Sequence, residues 1–432
     1  MVRMHVGFEK ATVTDFWTRH FAGIDRIIED PTDVYFGFVL RMRGEAPSLT
    51  SLREQVARAV VGIPMLTRRL VDSGGDPTWE NEPQFDIDHH VWENRQLAPG
   101  VHPARTLFLN RPDPARPRWG ICLLSGDDRE WAVCYLVHHA VQDAVAALET
   151  MRRLFDGRTS GKAVLRGRRA LGVEASVRLA PDVLSTYRAV TPWTPLLAPP
   201  LSSRTAAFAA VEQEWIEAIA RATDATINQV HLAALTGALR DWSPGDWTGR
   251  LSRAQRRGLP VVMPVDTRKP GEDDLGNQFG LFRAMLPCGE TDPERRLRSI
   301  MTATGRRRID RYRRAHRTLV EAAPDVGDWL WRRIARTSMM VASSVQARDT
   351  LTVCGTPVAE IEAIPWLPPG YPCFSFLVSY KGRVGMSVLT HGGAPSSEML
   401  VARWRDAIYE LHSRLVETSR RPTAGAWRPR AF

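Results

Sequence analysis

Two adjacent histidine pairs are the side chains best placed to do chemistry: His138 and His139 in "WAVCYLVHHAVQDAVAALETMRRLF" (131–155), and His89 and His90 in "FDIDHHVWEN". A neutral imidazole, with an unperturbed pKa of about 6.5, is suited to take a proton from an alcohol or amine at neutral pH. In an extended strand side chains alternate, so Trp131, Val133, Tyr135, Val137 and His139 share one face, and His138 shares the other with Cys134 and Leu136. The rings point apart, and one of them reaches a given substrate atom. His139 is read as the last strand residue, where the chain leaves the sheet for a helix, and as a general base. Asp143 follows by four residues, close enough across a tight turn to orient the loop, cap the helix or bind a distant arginine. The bland alternative is a buried histidine satisfied by backbone partners. A metal site needs further ligands, and the histidines at 5, 20, 102, 231, 316, 391 and 412 form no second cluster, so no metal is expected. His89 and His90 sit amid Asp86, Asp88 and Glu93 with no strand-to-helix turn behind them, and are assigned to structure.

The surrounding elements alternate between strand and helix. Residues 33–44 and "REWAVCYLVHH" read as strands, the second apolar on both faces and so buried. "SLTSLREQVARAVVGIPML" reads as a capped helix, and "DAVAALETMRRLF" as a helix with Val145, Leu148, Met151 and Phe155 on one stripe. Residues 1–158 form one expected lobe, 159–204 a connector rich in turn formers, and 205–432 a second lobe. In the second lobe "TAAFAAVEQEWIEAIARATDATINQVHLAALTGALRDW" holds a strand and two helices. "LPVVMPVDTR" and "FGLFRAMLP" are strands, "DPERRLRSIMTATGRRRIDRYRRAHRTLVEAA" is one long helix, and "CFSFLVSYKGRVGMSVLTHGG" is a hairpin turning at Lys381 and Gly382.

Composition is that of a globular protein large enough for two cores: 432 residues, 44% hydrophobic and 25% charged, with no uncharged apolar run long enough to predict a transmembrane helix. The N-terminus lacks a secretory signal pattern, which makes the cytoplasm the expected compartment. Five cysteines without a CxxC pair suggest neither disulfides nor zinc. The net charge of +10 is carried mostly by arginine. In "GRRRIDRYRRAHR" arginines surround a helix, either as a solvated face or as a dock for an anionic donor or membrane surface. No nucleic-acid module accompanies the charge.

"HHAVQDA" resembles the HHxxxDG motif of the condensation-domain and chloramphenicol-acetyltransferase-like acyltransferases, most of all the bacterial wax ester synthase/diacylglycerol acyltransferase family. "MLTRRLV", "PTWENEPQFDIDHHV", "DPARPRWGICLLSG", "DATINQVHLAALTGALR" and "LPVVMPVDTRKP…LGNQFGLFRAMLPCGETDPERRLRSI" match in the same order along nearly the whole chain. The resemblance implies an α/β fold of two lobes in a V-shaped pseudo-dimer, mixed sheets flanked by helices, and an active-site tunnel at the lobe interface. It makes His139 the base, His138 its motif partner, and Asp143 a structural residue paired with arginine, for which Arg69 and Arg268 are candidates. Asn277, with Gly276 and Arg268 nearby, becomes a substrate-side contact. The donor expected is acyl-CoA or an acyl group on the phosphopantetheine of an acidic carrier protein, the acceptor is a small alcohol or amine, and no cofactor is bound.

This sequence departs from the family where Ala144 replaces glycine, Gln229 replaces aspartate, and "VASSVQARD" replaces an Asn-Val-Pro-Gly-Pro stretch. These departures point to specialised-metabolite acylation, with lipid ester synthesis and a catalytically inactive scaffold as the alternatives.

Overall fold

The computed structural model describes residues 3–4, 12–28, 34–71, 77–94, 113, 115–125, 129–155, 191–196, 204–269, 271–272, 274–322, 329–330, 332–334 and 337–417. The first lobe contains α1 (Phe16–Asp25), β1 (Tyr35–Arg43), α2 (Leu49–Val60), β2 (Arg68–Val71), β3 (Thr78–Asn81), β4 (Val91–Asn94), β5 (Trp119–Ser125), β6 (Glu130–His138) and α3 (Ala144–Phe155). The second contains β7 (Arg204–Glu212), α4 (Gln213–Thr223), α5 (Ile227–Trp242), β8 (Leu259–Asp266), β9 (Phe279–Leu286), α6 (Pro293–Ala303), α7 (Arg306–Ala322), β10 (Met340–Gln346), β11 (Glu360–Ile364), β12 (Cys373–Tyr380), β13 (Arg383–His391) and α8 (Ser397–His412). Apart from 191–196, the expected connector lies outside the described residues until β7 begins at Arg204.

The first sheet runs β11-β1-β6-β5-β4 and the second β7-β13-β12-β10-β8-β9. Both are mixed: β4 is parallel to β5, and β10 is parallel to β8 and β12, while the remaining neighbours are antiparallel. The first sheet takes one strand from beyond the second lobe's start, because β11 pairs with β1, Glu362 opposite Val39. The side chain of Glu362 is buried against Arg41, so this crossing is charge-paired as well as hydrogen-bonded. The expected lobe 205–432 therefore describes chain order, with one strand lent across the interface.

Periodicity explains the packing. Along β6, Trp131, Val133, Tyr135 and Val137 enter the large core with Phe36, Phe38 and Leu40 of β1 and Met151 of α3. Cys134 and Leu136 face a smaller cluster with Val39, Cys122, Leu124 and Ile364. The β12–β13 hairpin turns at Lys381 and Gly382, both with positive φ (44° and 75°), the geometry of a type I′ turn.

Three local expectations change. The long helix divides into α6 and α7, because the Thr304 hydroxyl bonds back to the Ile300 carbonyl (2.7 Å) and receives Gln229 Nε2 (3.2 Å), and Gly305 follows. The buried stripe of α3 is Ala147, Met151, Leu154 and Phe155, while Val145 is exposed at the helix start. β6 ends at His138, and His139 opens the turn, its N–H donating to the Val34 carbonyl at 3.1 Å. All five cysteines are free.

Candidate active site

His138 is fully buried. Its Nδ1 accepts the Ala140 N–H at 3.0 Å, which leaves the ring proton on Nε2 to donate to Asp25 Oδ1 at 2.9 Å, with Arg118 on the other oxygen of that carboxylate. Burial holds the imidazole below its ordinary pKa against the pull of Asp25. This histidine builds the turn that aims its neighbour. Asp25 and Arg118 lie more than 90 residues apart in sequence, and no local pattern marks them as partners of His138.

His139 stands among aromatic rings from both lobes: Phe21 stacked at 4.1 Å, Phe36 at 4.7 Å, Phe279 at 5.8 Å and Trp366 edge-on at 5.2 Å. Its Nδ1 is buried without a well-formed hydrogen bond, with its own carbonyl and Asn277 acting on the ring, which leaves Nε2 as the nitrogen available to a substrate. Burial pushes the imidazole down to about 3, opposed by its own carbonyl, the Asp143 charge and Asn277, so the ring is a neutral base throughout the physiological range. It sits on the wall of a pocket of about 100 Å³ between the lobes. Leu281, Val341, Val345, Phe374 and Phe376 make that wall apolar, while Asp266, Arg268, Ser343 and Ser344 add polar groups.

Asp143 performs all three jobs its position allows. Oδ1 accepts the Ala146 N–H at 2.9 Å and caps α3. Oδ2 accepts the Gln278 N–H at 2.7 Å and pairs with Arg268 Nη1 at 3.0 Å, both side chains being only 7% exposed. Arg268 also donates from Nε to the Asp274 carbonyl (2.9 Å) and from Nη2 to the Gly276 carbonyl (2.6 Å). One carboxylate thus ties the helix after the histidines to the loop before β9.

Arg69, the other candidate partner of Asp143, pairs with Glu80 at 3.3 Å, its cross-strand neighbour in the β2–β3 ladder. Gly276 and Asn277 are not among the described residues lining the pocket. Gly276 instead presents its carbonyl to Arg268, and Asn277 Nδ2 donates to the His139 carbonyl at 2.8 Å, so its contact is with the backbone of His139. His90 is a core residue stacked on Trp119 at 4.5 Å with Nδ1 on that residue's carbonyl (3.0 Å), and His89 faces Asp86 at 3.5 Å. On α7, Arg313 and Arg317 bind the carbonyls of Asp266 (2.6 Å) and Thr267 (3.1 Å), whereas Arg306, Arg307 and Arg311 are exposed.

Two family models match the chain: the wax ester synthase/diacylglycerol acyltransferase catalytic domain over residues 38–169, and the corresponding C-terminal domain over 275–412, together more than half of its length. The chain belongs to this family. It is an acyltransferase. A probable diacylglycerol O-acyltransferase of Mycobacterium tuberculosis is 26% identical over 98% of this chain and 96% of its own. The wax ester synthase/diacylglycerol acyltransferase of Marinobacter aquaeolei shares the fold, with a TM-score of 0.65 at 19% identity, over 94% of this chain and 100% of that one. So does the first condensation domain of the calcium-dependent antibiotic synthetase, at 0.64 and 15%, over 94% and 97%.

Within the family frame the departures have local explanations. Ala144 opens α3 and its methyl group faces the pocket. Gln229 completes a capping box with Thr226 at the start of α5. Ser343, Ser344 and Val345, within the stretch expected to be rebuilt, form part of the pocket wall. No helix among the described residues is long and apolar enough to cross a membrane, and no group of three or more metal-ligating side chains occurs among them.

Proposed function

We propose that this chain transfers a fatty acyl group from coenzyme A to the hydroxyl of a lipid alcohol, forming a neutral ester, with His139 as general base. The observation that carries the reading is the neutral imidazole on the wall of a largely apolar pocket between the lobes. The family match and the relatives' names favour a lipid alcohol over the specialised-metabolite acceptor suggested by the sequence departures, and acyl-CoA over a carrier protein.

The acceptor O–H gives its proton to Nε2 as its oxygen attacks the thioester carbonyl. The C–S bond then breaks, and the proton passes to the departing thiolate. The apolar walls exclude water that would otherwise hydrolyse the thioester. Asp143 and Arg268 do no chemistry. They hold the turn and the facing loop so that base and substrates meet in reactive geometry.

The test is purified protein with palmitoyl-CoA and a panel of hexadecanol, dioleoylglycerol, a primary amine and polar alcohols, with products read by mass spectrometry. Ester from the two lipid alcohols is expected, and His139→Ala should lower the rate about 10² to 10⁴-fold at an unchanged melting temperature. Product from only the amine or the polar alcohols overturns the lipid reading, and an undiminished alanine variant overturns the base.

A further inference from the structure

Two buried polar atoms in the site lack a well-formed hydrogen bond: Nδ1 of His139, a ring on which its own carbonyl and Asn277 both act, and Oδ1 of Asn277. The Asn277 side chain is 2% exposed, and its other terminal atom is fixed, because Nδ2 donates to the carbonyl of His139 itself at 2.8 Å. That bond brings the carboxamide alongside the residue whose ring it does not formally bond. Leaving a buried donor and a buried acceptor both unsatisfied is unfavourable, and a proton on Nδ1 with a small closure of the loop would satisfy both. The loop is held for this purpose from the far side: Arg268 grips the Gly276 carbonyl at 2.6 Å, and Asp143 grips Arg268 and the Gln278 N–H. His139 and Asn277 are therefore joined through two routes, one direct and one through the ion pair.

We propose that Asn277 is a positioning residue for the base: Nδ2 anchors the His139 backbone, and Oδ1 accepts Nδ1–H, keeping the Nε2 lone pair toward the pocket and stabilising the imidazolium as the ring takes the acceptor's proton. This deepens the proposed function, since it assigns the tautomer that the base requires. A neutral imidazole with its proton on Nε2 would present a donor to the acceptor hydroxyl and could not remove its hydrogen. The charged and titratable groups that act on this ring or share its pocket are Asp143 and, through space from the opposite strand face, His138 of its own lobe, with Arg268 and Asp266 of the other. The remaining faces are closed by Phe21, Phe36, Phe279 and Trp366.

The experiment is nitrogen NMR of histidine-labelled protein, with the His139 signals assigned by their loss in His139→Ala, beside steady-state rates of Asn277→Leu and Asn277→Asp. The wild-type ring should carry its proton on Nδ1. Asn277→Leu should shift it toward the Nε2–H form and lower kcat about 10- to 100-fold with little change in KM. Asn277→Asp keeps an acceptor oxygen, so it should keep the Nδ1–H form, retain more activity than the leucine variant, and acquire an acid limb in its pH–rate profile that the parent lacks. A wild-type ring protonated on Nε2 overturns the proposal even if neither variant folds, as does a leucine variant with an unmoved tautomer and kcat within twofold. Failure of the proposed function shows differently: the tautomer is as stated but none of the acceptors is acylated.

Discussion

His138 and His139 are adjacent and chemically identical, yet one has both ring nitrogens bonded inside the protein and the other has a nitrogen facing the pocket. Pleating separates them, and their partners then fix their roles. Because burial brings His139 down to about 3, the rate should stay level as pH falls from 8 to 5.5, where an unperturbed histidine base would lose most of its activity. A pH–rate profile declining around 6.5 would contradict that environment. His138→Ala removes the acceptor of the Ala140 N–H and leaves Asp25 with one partner fewer, so it should cost about 1 to 3 kcal/mol of stability in chemical denaturation. The alternating faces were legible in the residue pattern. The partners were not, because Asp25 and Arg118 belong to distant segments.

At the level of elements, α3, β9 and the loop between β8 and β9 meet on the Asp143 carboxylate. Asp143→Ala would leave the buried Arg268 with only the part-exposed Asp266 (3.2 Å) as a carboxylate partner and remove the α3 cap, with an expected loss of about 3 kcal/mol. The double variant with Arg268→Ala should lose less than the sum of the singles, and an additive double-mutant cycle would show that the pair is not coupled. In the first sheet, a Cβ on Gly37 would lie 1.8 Å from the Tyr135 carbonyl oxygen. Gly37→Ala must therefore push β1 from β6, costing about 3 kcal/mol or more, and melting curves will show whether it does. Strand and helix types were readable from apolar periodicity and capping residues. The break between α6 and α7 had a local mark in Thr304 and Gly305, but the Gln229 contact that fixes it is tertiary, and the transfer of β11 left no local mark, since an edge strand reads alike in either sheet.

Across the whole molecule, burial pushes His90 down to about 4, His231 to about 3 and His316 to about 4. The unfolded chain takes up these protons below about 6.5, whereas the folded chain does not until pH 3 to 4. Stability is therefore full above pH 6.5 and falls as pH drops from 6.5 to 4, by up to about 1.4 kcal/mol per unit for each group. Unfolding free energies from denaturant titrations at pH 7.5 and 5 should differ by several kcal/mol, and equal values would mean that these rings are hydrated in the fold.

The order of residues alone determined the motif, the face each histidine takes and the alternation of elements, and offered a helix cap as one role for Asp143, because these depend on neighbours a few positions apart. The family resemblance left two arginines as partners for that carboxylate and put Asn277 on the substrate side. Only the folded chain chose Arg268, turned Asn277 onto the His139 carbonyl and closed four aromatic rings around His139. Those outcomes depend on which surfaces meet when two lobes pack, and side-chain spacing along a chain does not encode that distance.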